Sequence, residues 1–283
     1  MKRRIRMCAW ALILAMLLPV CGAAEALPPS SAMKLLGGEM TDVPADETEL
    51  AEEQLSAEEM FDLGVAYDFA EGEDRDMEQA IYWYEQAAAL GDVRAMFNLG
   101  VTYDRGDGVP VDAEQAIYWY EQAAALEYDK AMMNLALIYD QAEYVDRDME
   151  QAIYWYEQAA ALDNDKAMMN LALTYDLADG VERDMEQALY WYEQAAALGN
   201  ADAMFNLGVT YDIGDGVEMD DAQAVAWYEQ AAEAGSDKAM FNLGIMYYNG
   251  EGVEADEDMA VAWLERAVEA GYEDAQEVLD SIR

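Results

Sequence analysis

The sequence predicts an all-α fold made of six helical hairpins of 36 residues each. Aromatic residues recur at this interval without an insertion or deletion: Trp83, Trp119, Trp155, Trp191, Trp227 and Trp263, and Tyr67, Tyr103, Tyr139, Tyr175, Tyr211 and Tyr247. Between them the apolar residues follow a helical period. A fixed period of this length is typical of one supersecondary unit that is copied and stacked, so we expect function on a surface rather than in one pocket.

The second copy shows the two helices of a hairpin. Its first half places small and apolar residues on one helical face: Ala95, Met96, Leu99, Gly100 and Tyr103. Its second half does the same with Ala116, Trp119, Tyr120, Ala123 and Ala124. We expect the small residues to let the helices approach closely, while the Trp and Tyr rings fill the space between successive hairpins.

The link between these two helices carries turn and capping signals. Gly106 and Gly108 permit a turn with positive φ, and Asp112, followed three residues later by Gln115, predicts the N-cap of the second helix. The same cap recurs in other copies: Asp76 with Gln79, Asp148 with Gln151, Asp184 with Gln187, and Asp220 with Gln223.

The chain ahead of the array is organised differently. Residues 1–24 combine a basic start, an apolar run too short to span a bilayer and small residues, a pattern that predicts a signal peptide. Residues 25–56 are acidic and rich in Pro and Gly, and we interpret them as a flexible tether. Ser56 with Glu59 is a capping box that opens the array at 57–273, and residues 274–283 are predicted to form a capping helix.

The leader predicts export, either to the periplasm or out of the cell, with no membrane insertion of the mature chain. Cys21 is a candidate for lipid anchoring, although Val20 stands where a lipoprotein signal has a small residue. Both cysteines, Cys8 and Cys21, lie in this region, and the sequence has no histidine. Disulfides and cysteine catalysis are therefore excluded from the array, and the most common general base and metal ligand is missing.

The net charge of −45 indicates a strongly acidic surface. Such a surface repels nucleic acid and anionic membranes and favours solubility and cationic partners, although a solvated acidic face is its commonest meaning. We therefore expect no nucleic-acid partner. Because the array also lacks histidine and cysteine, we expect no cofactor, no metal site and no catalytic residue.

The second copy resembles a known repeat. Ala95 through Ala124 match the pattern A-x-x-x-L-G-x-x-Y-x-x-G-x-G-V-x-x-D-x-x-x-A-x-x-W-Y-x-x-A-A, which is similar to the Sel-like repeat, the Sel-one branch of the tetratricopeptide superfamily. The resemblance implies a right-handed α-solenoid that acts as an adaptor and binds peptides on the concave face of its first helices. The third copy departs from the pattern because other residues replace its glycines: Glu127, Ala136, Ala142 and Tyr144.

Alignment with the tetratricopeptide pattern places a candidate protein-binding site on that concave face. The predicted site has an apolar floor of Phe97, Met133, Met169, Phe205 and Phe241. Beside it run an amide ladder of Asn98, Asn134, Asn170, Asn206 and Asn242 and a cationic rim of Arg94, Lys130, Lys166 and Lys238. These groups suit an extended peptide, but they also suit packing and hydrogen bonding along the stack.

Two further sets of residues leave alternatives open. A run of aspartates follows the repeat tyrosine, namely Asp104, Asp140, Asp176 and Asp212. It suggests calcium, but Gln115 stands where an EF-hand loop needs glutamate, so diffuse cation binding is the better interpretation. Tyrosines also precede the tryptophans, namely Tyr82, Tyr118, Tyr154 and Tyr190. They suit a second binding face for a glycan or protein, although packing between repeats is favoured.

The sequence therefore predicts an exported scaffold, not an enzyme, that binds a segment of another protein through a concave helical face. One alternative is an enzyme acting on peptidoglycan or β-lactams, which would lack the usual nucleophile and base. Another is a host-directed effector that uses the same groove.

Overall fold

The computed structural model describes residues 55–70, 75–141 and 145–283. Within these ranges the chain forms thirteen helices and no strand. The predicted signal peptide, the tether as far as residue 54, Cys21, Ala142 and Tyr144 lie outside the described residues. In the described part, no helix is both long enough and apolar enough to cross a membrane.

Each repeat supplies a first and a second helix. The first helices are α1 (Ala57–Asp68), α3 (Val93–Arg105), α5 (Asp129–Gln141), α7 (Asp165–Asp176), α9 (Ala201–Ile213) and α11 (Asp237–Asn249). The second helices are α2 (Met77–Ala89), α4 (Ala113–Ala124), α6 (Met149–Ala160), α8 (Met185–Ala197), α10 (Asp221–Glu233) and α12 (Glu257–Glu269). A last helix, α13, spans Ala275–Ile282.

Every first helix packs along the second helix of its own repeat, so each repeat is a helical hairpin as predicted. The described hairpins fall into an N-terminal unit that ends at Leu162 and a C-terminal unit that begins at Asp163. In the N-terminal unit, α2 packs on α3 and α4 packs on α5. In the C-terminal unit, α8 packs on α9, α10 on α11, and α12 on α13.

The predicted caps are confirmed by their hydrogen bonds. The Gln115 backbone N–H donates to the Asp112 carboxylate at 3.0 Å, and Ser56 and Glu59 form the reciprocal capping box. The corresponding aspartates of the other predicted caps accept in the same way. The backbone N–H of Asp112 also donates to the carbonyl of Tyr103 at 3.0 Å, and this bond recurs in every hairpin. The capping aspartate therefore starts the second helix and ties it to the first.

The final helix packs on the sixth hairpin. Val278 and Leu279 are buried, and Ile282 packs partly against the same apolar cluster as Leu264 of α12. The apolar face of α13 is therefore used within the C-terminal unit.

The turn that leaves each second helix needs a left-handed residue. Gly91, Gly199 and Gly235 fill this position with φ between 88° and 100°, whereas Glu127 fills it with φ 59°. A Cβ added at Gly91 would meet no atom within 4 Å, so space does not limit the side chain there. The departure of the third copy from glycine therefore leaves the left-handed turn in place, at the cost of backbone strain at Glu127.

We expect Glu127→Gly to stabilise the protein by about 0.5–1 kcal/mol, because glycine adopts positive φ without the clash of a Cβ. Chemical denaturation of the two proteins measures the difference in free energy of unfolding. Glu127→Ala is the matched control, since alanine removes the charge but keeps the Cβ. An equal gain from both substitutions would assign the effect to charge and contradict the strain.

Candidate protein-binding faces

A tyrosine of the second helix is the largest wholly buried side chain in each of the first five hairpins: Tyr84, Tyr120, Tyr156, Tyr192 and Tyr228. Its hydroxyl donates to the carboxylate of the aspartate that stands 16 residues earlier, at the end of the first helix. The oxygen–oxygen distances lie between 3.1 and 3.4 Å for Asp68, Asp104, Asp140, Asp176 and Asp212. Each pair thus joins the two helices of its own hairpin.

The first helix approaches this tyrosine closely because it presents a small residue to the ring. A Cβ added at Gly100 would lie 2.4 Å from Tyr120 ring carbons, and Gly64 and Gly208 meet their tyrosines in the same way. The third copy has Ala136 at this position, and its Tyr156 still reaches Asp140 at 3.1 Å. The predicted role of small residues in close helix approach is confirmed.

Within each unit, asparagines of the ladder meet the same tyrosines from the next hairpin. Asn134 donates its amide to the Tyr120 hydroxyl at 3.0 Å. Asn98 lies beside Tyr84, but its buried amide makes no hydrogen bond among the described residues. The asparagines at 98, 134, 170 and 206 are buried and Asn242 is half-buried. The four asparagines at 98, 134, 170 and 206 are therefore not an open ladder, because their side chains are buried.

The five residues of the predicted apolar floor are also inaccessible to a partner. Phe97, Met133, Met169, Phe205 and Phe241 are all buried. Phe97 packs on Tyr120 of its own hairpin, with ring centroids 5.9 Å apart, and on Tyr128 at 5.2 Å. These residues are core, so the expectation of an accessible floor is corrected. Their surroundings match the alternative interpretation, in which these residues pack within the fold.

The cationic rim remains at the surface. Lys130 and Lys166 are exposed, and Arg94 and Lys238 are half-exposed. Arg94 pairs with Asp92 at 2.6 Å and covers the Phe61 ring at 4.2 Å, while Lys238 lies 5.8 Å from the Phe205 ring. The assignment of these four cations to partner binding stays a prediction.

The first helices of the C-terminal unit expose an apolar position that lies outside the predicted floor. It comes four residues after the buried Phe or Met, and in the C-terminal unit it is occupied by Leu173, Val209 and Ile245. All three are half-buried, so each keeps part of its side chain in water. We call these three residues the first-helix face. Their 36-residue spacing was visible in the sequence, but the buried Phe or Met position had the same spacing and larger side chains.

The aspartates considered for calcium have partners within the fold. Besides the tyrosine hydroxyls, Asp140 and Asp176 accept from Arg147 and Arg183 at 2.8 and 2.9 Å. Arg183 also reaches Asp215 of the next hairpin at 2.5 Å, and these carboxylates raise the pKa of its guanidinium. In the described ranges no three carboxylates come close enough to hold a metal ion. The aspartates therefore serve as tyrosine and arginine acceptors.

Three of the four tyrosines that precede the tryptophans lie at the surface. Tyr118, Tyr154 and Tyr190 are 49%, 48% and 49% exposed, and Tyr82 is half-buried. Each ring meets the following tryptophan edge-on, with centroids 4.9–5.2 Å apart. Each exposed ring thus has one aromatic contact on its own helix, and packing between repeats stays a prediction.

The tryptophans fill less of the core than predicted. Trp83 is buried, but the other five repeat tryptophans are half-buried, whereas the tyrosine that follows in the first five copies has no exposed surface. One feature of the sequence indicates that this tyrosine pairs with the aspartate. The sixth copy changes both members of the buried pair at once, with Tyr248 in place of the aspartate and Leu264 in place of the tyrosine.

The architecture is that of an all-α repeat protein whose first five hairpins share a buried tyrosine paired with an aspartate. The Sel1 repeat model matches residues 60–92, 93–128, 129–164, 165–200, 201–236 and 237–272. The chain therefore belongs to the Sel1 repeat family, and its all-α solenoid fold class is confirmed. Sel1 repeat proteins generally act as protein–protein interaction scaffolds and are generally not enzymes.

Two similar solved structures are Sel1-type proteins. One is c5321, a protective antigen present in uropathogenic Escherichia coli strains, with 32% identity and a TM-score of 0.74 over 85% of this chain and 52% of that one. The other is a Sel1 repeat protein from Oxalobacter formigenes, with 32% identity and a TM-score of 0.69 over 83% of this chain and 68% of that one. The present chain thus spans about half the length of c5321. No curated protein matches it.

The buried tyrosines predict loss of stability in alkali. Burial raises the pKa of Tyr120, Tyr192 and Tyr228 well above the ordinary value, and the neighbouring carboxylates raise it further. Above about pH 10, the ordinary pKa, the unfolded chain loses these protons while the folded chain keeps them, so stability falls as pH rises.

We expect the last tyrosines to ionise only as the helices unfold. Phenolate absorbance and circular dichroism, followed together through an alkaline titration, measure this coupling. Tyr228→Phe is the control, because it should remove one proton from the late phase. Complete ionisation with helix content unchanged would contradict the burial.

Proposed function

We propose that this protein is an exported scaffold that binds a segment of another protein on the first-helix face of its C-terminal unit. The observation that carries the proposal is the half-buried series Leu173, Val209 and Ile245. The three residues occupy one position on α7, α9 and α11, so they repeat at the spacing of the hairpins. A partner segment would bury the exposed part of these side chains and gain apolar contact.

The charges at the edge of this face indicate which charged groups a partner segment would carry. Lys166 is exposed and Lys238 is half-exposed near the start of their first helices, whereas Asp202 stands at the equivalent position between them. A segment with apolar side chains and a few carboxylates would therefore match the first-helix face. Such local pairing gives specificity within a protein that is acidic elsewhere.

Export is the second part of the proposal and rests on residues 1–24. A basic start followed by an apolar run and small residues is the composition of a signal peptide. The similar c5321 is a protective antigen, a property in line with an exported destination and with the host-directed alternative. The intact mass of protein recovered from the producing cell tests export. Cleavage near Ala24 or Ala26 supports it, diacylglycerol on Cys21 would indicate an anchored form, and an uncleaved amino terminus would contradict it.

Partner binding is tested by a triple substitution, Leu173→Gln, Val209→Gln and Ile245→Gln. A photo-cross-linker placed at the exposed Asp202 in the living cell, which leaves both lysines in place, identifies by mass spectrometry the protein held there. We expect the triple variant to lose that cross-linked product because the apolar contact is gone. Circular dichroism checks that the variant remains folded, since part of each side chain also packs on the core.

The matched control is Ala226→Gln with Ala262→Gln, two exposed positions on second helices of the same unit. It adds the same polar group away from the first-helix face, so the cross-linked product should persist. Equal capture by the triple variant would contradict binding at this face. Turnover of peptidoglycan or a β-lactam by the purified protein would favour the enzyme alternative instead.

A further inference from the structure

Two second helices of the N-terminal unit carry exposed aromatic rings, Tyr118 on α4 and Tyr154 on α6. The ring of Tyr118 meets Trp119 at 5.0 Å and 72°, and the ring of Tyr154 meets Trp155 at the same distance and angle. The tryptophan supports one part of each tyrosine ring while about half of the side chain stays in water. The same orientation thus recurs in successive repeats.

Glutamates flank each of these rings on the helix surface. Glu114 precedes Tyr118 by four residues and Glu121 follows it by three, and Tyr154 has the same neighbours in Glu150 and Glu157. All four glutamates are exposed, and these spacings place them beside the ring on adjacent turns. We call these two tyrosines and four glutamates the tyrosine face.

The second helices that form this face supply no positive charge of their own. The helical segments Ala113–Ala124 and Met149–Ala160 contain glutamate but no lysine or arginine. A cation that binds there must therefore come from elsewhere. An aromatic ring between two carboxylates attracts a cation both through the ring quadrupole and through charge.

The last repeat shows what such a helix surface accepts. Ala262 stands at the position of Tyr118, and Arg266 stands at the position of Gln122. The Arg266 guanidinium lies over the Trp263 ring, 4.2 Å from its centroid. Where the tyrosine is missing, a guanidinium thus contacts the tryptophan of the second helix. Arg94 makes the same kind of contact with Phe61, also at 4.2 Å.

We propose that the tyrosine face binds an arginine-containing segment of a partner protein. The guanidinium planes stack on Tyr118 and Tyr154, and the flanking glutamates accept their N–H groups. Arginine fits better than lysine because its planar, weakly hydrated group both stacks on a ring and forms paired hydrogen bonds with a carboxylate. The tyrosine face shares no residue with the first-helix face, so this inference is independent of the proposed function.

Calorimetric titration of the full chain with a short synthetic peptide of alternating arginine and glycine tests the proposal. Matched peptides contain lysine or glutamine in place of arginine. The arginine peptide should bind more tightly than the lysine peptide, and the glutamine peptide should not bind. Tyr118→Ala with Tyr154→Ala should weaken binding of the arginine peptide by about 5- to 30-fold, the sum of two exposed cation–π contacts.

A second variant makes the test independent of folding defects. Tyr118→Trp with Tyr154→Trp keeps the charge and should tighten binding, because indole is the strongest cation–π partner among the side chains. The matched control is Gln141→Ala, an exposed position on the first helix α5 of the same unit, and it should leave binding unchanged.

Three outcomes would overturn the proposal. Equal binding of the arginine and lysine peptides, with no effect of the alanine substitutions, would mean that net charge alone attracts the peptide. Loss of binding in the Gln141→Ala control would mean that the tyrosines are not the specific contact. Tyrosine-dependent binding of soluble peptidoglycan fragments, without binding of the arginine peptide, would make the face a glycan site.

Discussion

The hydroxyl group of a wholly buried tyrosine is the constraint on which each of the first five hairpins depends. Leaving such a group unpaired inside a protein costs about 1–3 kcal/mol, so the fold must bring an acceptor to it. The acceptor is an aspartate at the end of the first helix, 3.1–3.4 Å away. Because the tyrosine ring also rests on a glycine or alanine of that helix, the bond fixes both the separation of the two helices and their register.

This constraint determines which residues remain available for binding. In the N-terminal unit Asn134 donates a hydrogen bond to the Tyr120 hydroxyl, and Phe97 packs on the Tyr120 ring. Both belong to the stack although their residue types suit a peptide groove. Positions away from the tyrosine are left partly in water, such as Leu173 on a first helix and Tyr118 on a second helix. The two proposed faces therefore consist of residues that the network does not use.

The sequence predicted local structure better than it predicted exposure. Helices, hairpins and caps such as Asp112 followed because helical periodicity and capping chemistry act within a few residues. Trp119 and Tyr120 point in directions about 100° apart around the helix axis. Two adjacent aromatic residues do not reveal in the sequence which of the two directions faces the core. The pairing of tyrosine with an aspartate 16 residues earlier becomes visible only through the joint loss of both in the sixth copy, where Tyr248 and Leu264 stand.

A double-mutant cycle on Asp212 and Tyr228 tests the central claim most directly. The Tyr228 hydroxyl and the Asp212 carboxylate are 3.2 Å apart in the fifth hairpin. The sixth hairpin has neither residue, so a hairpin of this kind forms without the pair. Asp212→Ala, Tyr228→Phe and the double variant, unfolded in urea, give the coupling energy between the two side chains. A tyrosine–aspartate bond that organises the hairpin predicts a coupling of about 1 kcal/mol or more. Additive effects of the two substitutions would contradict it.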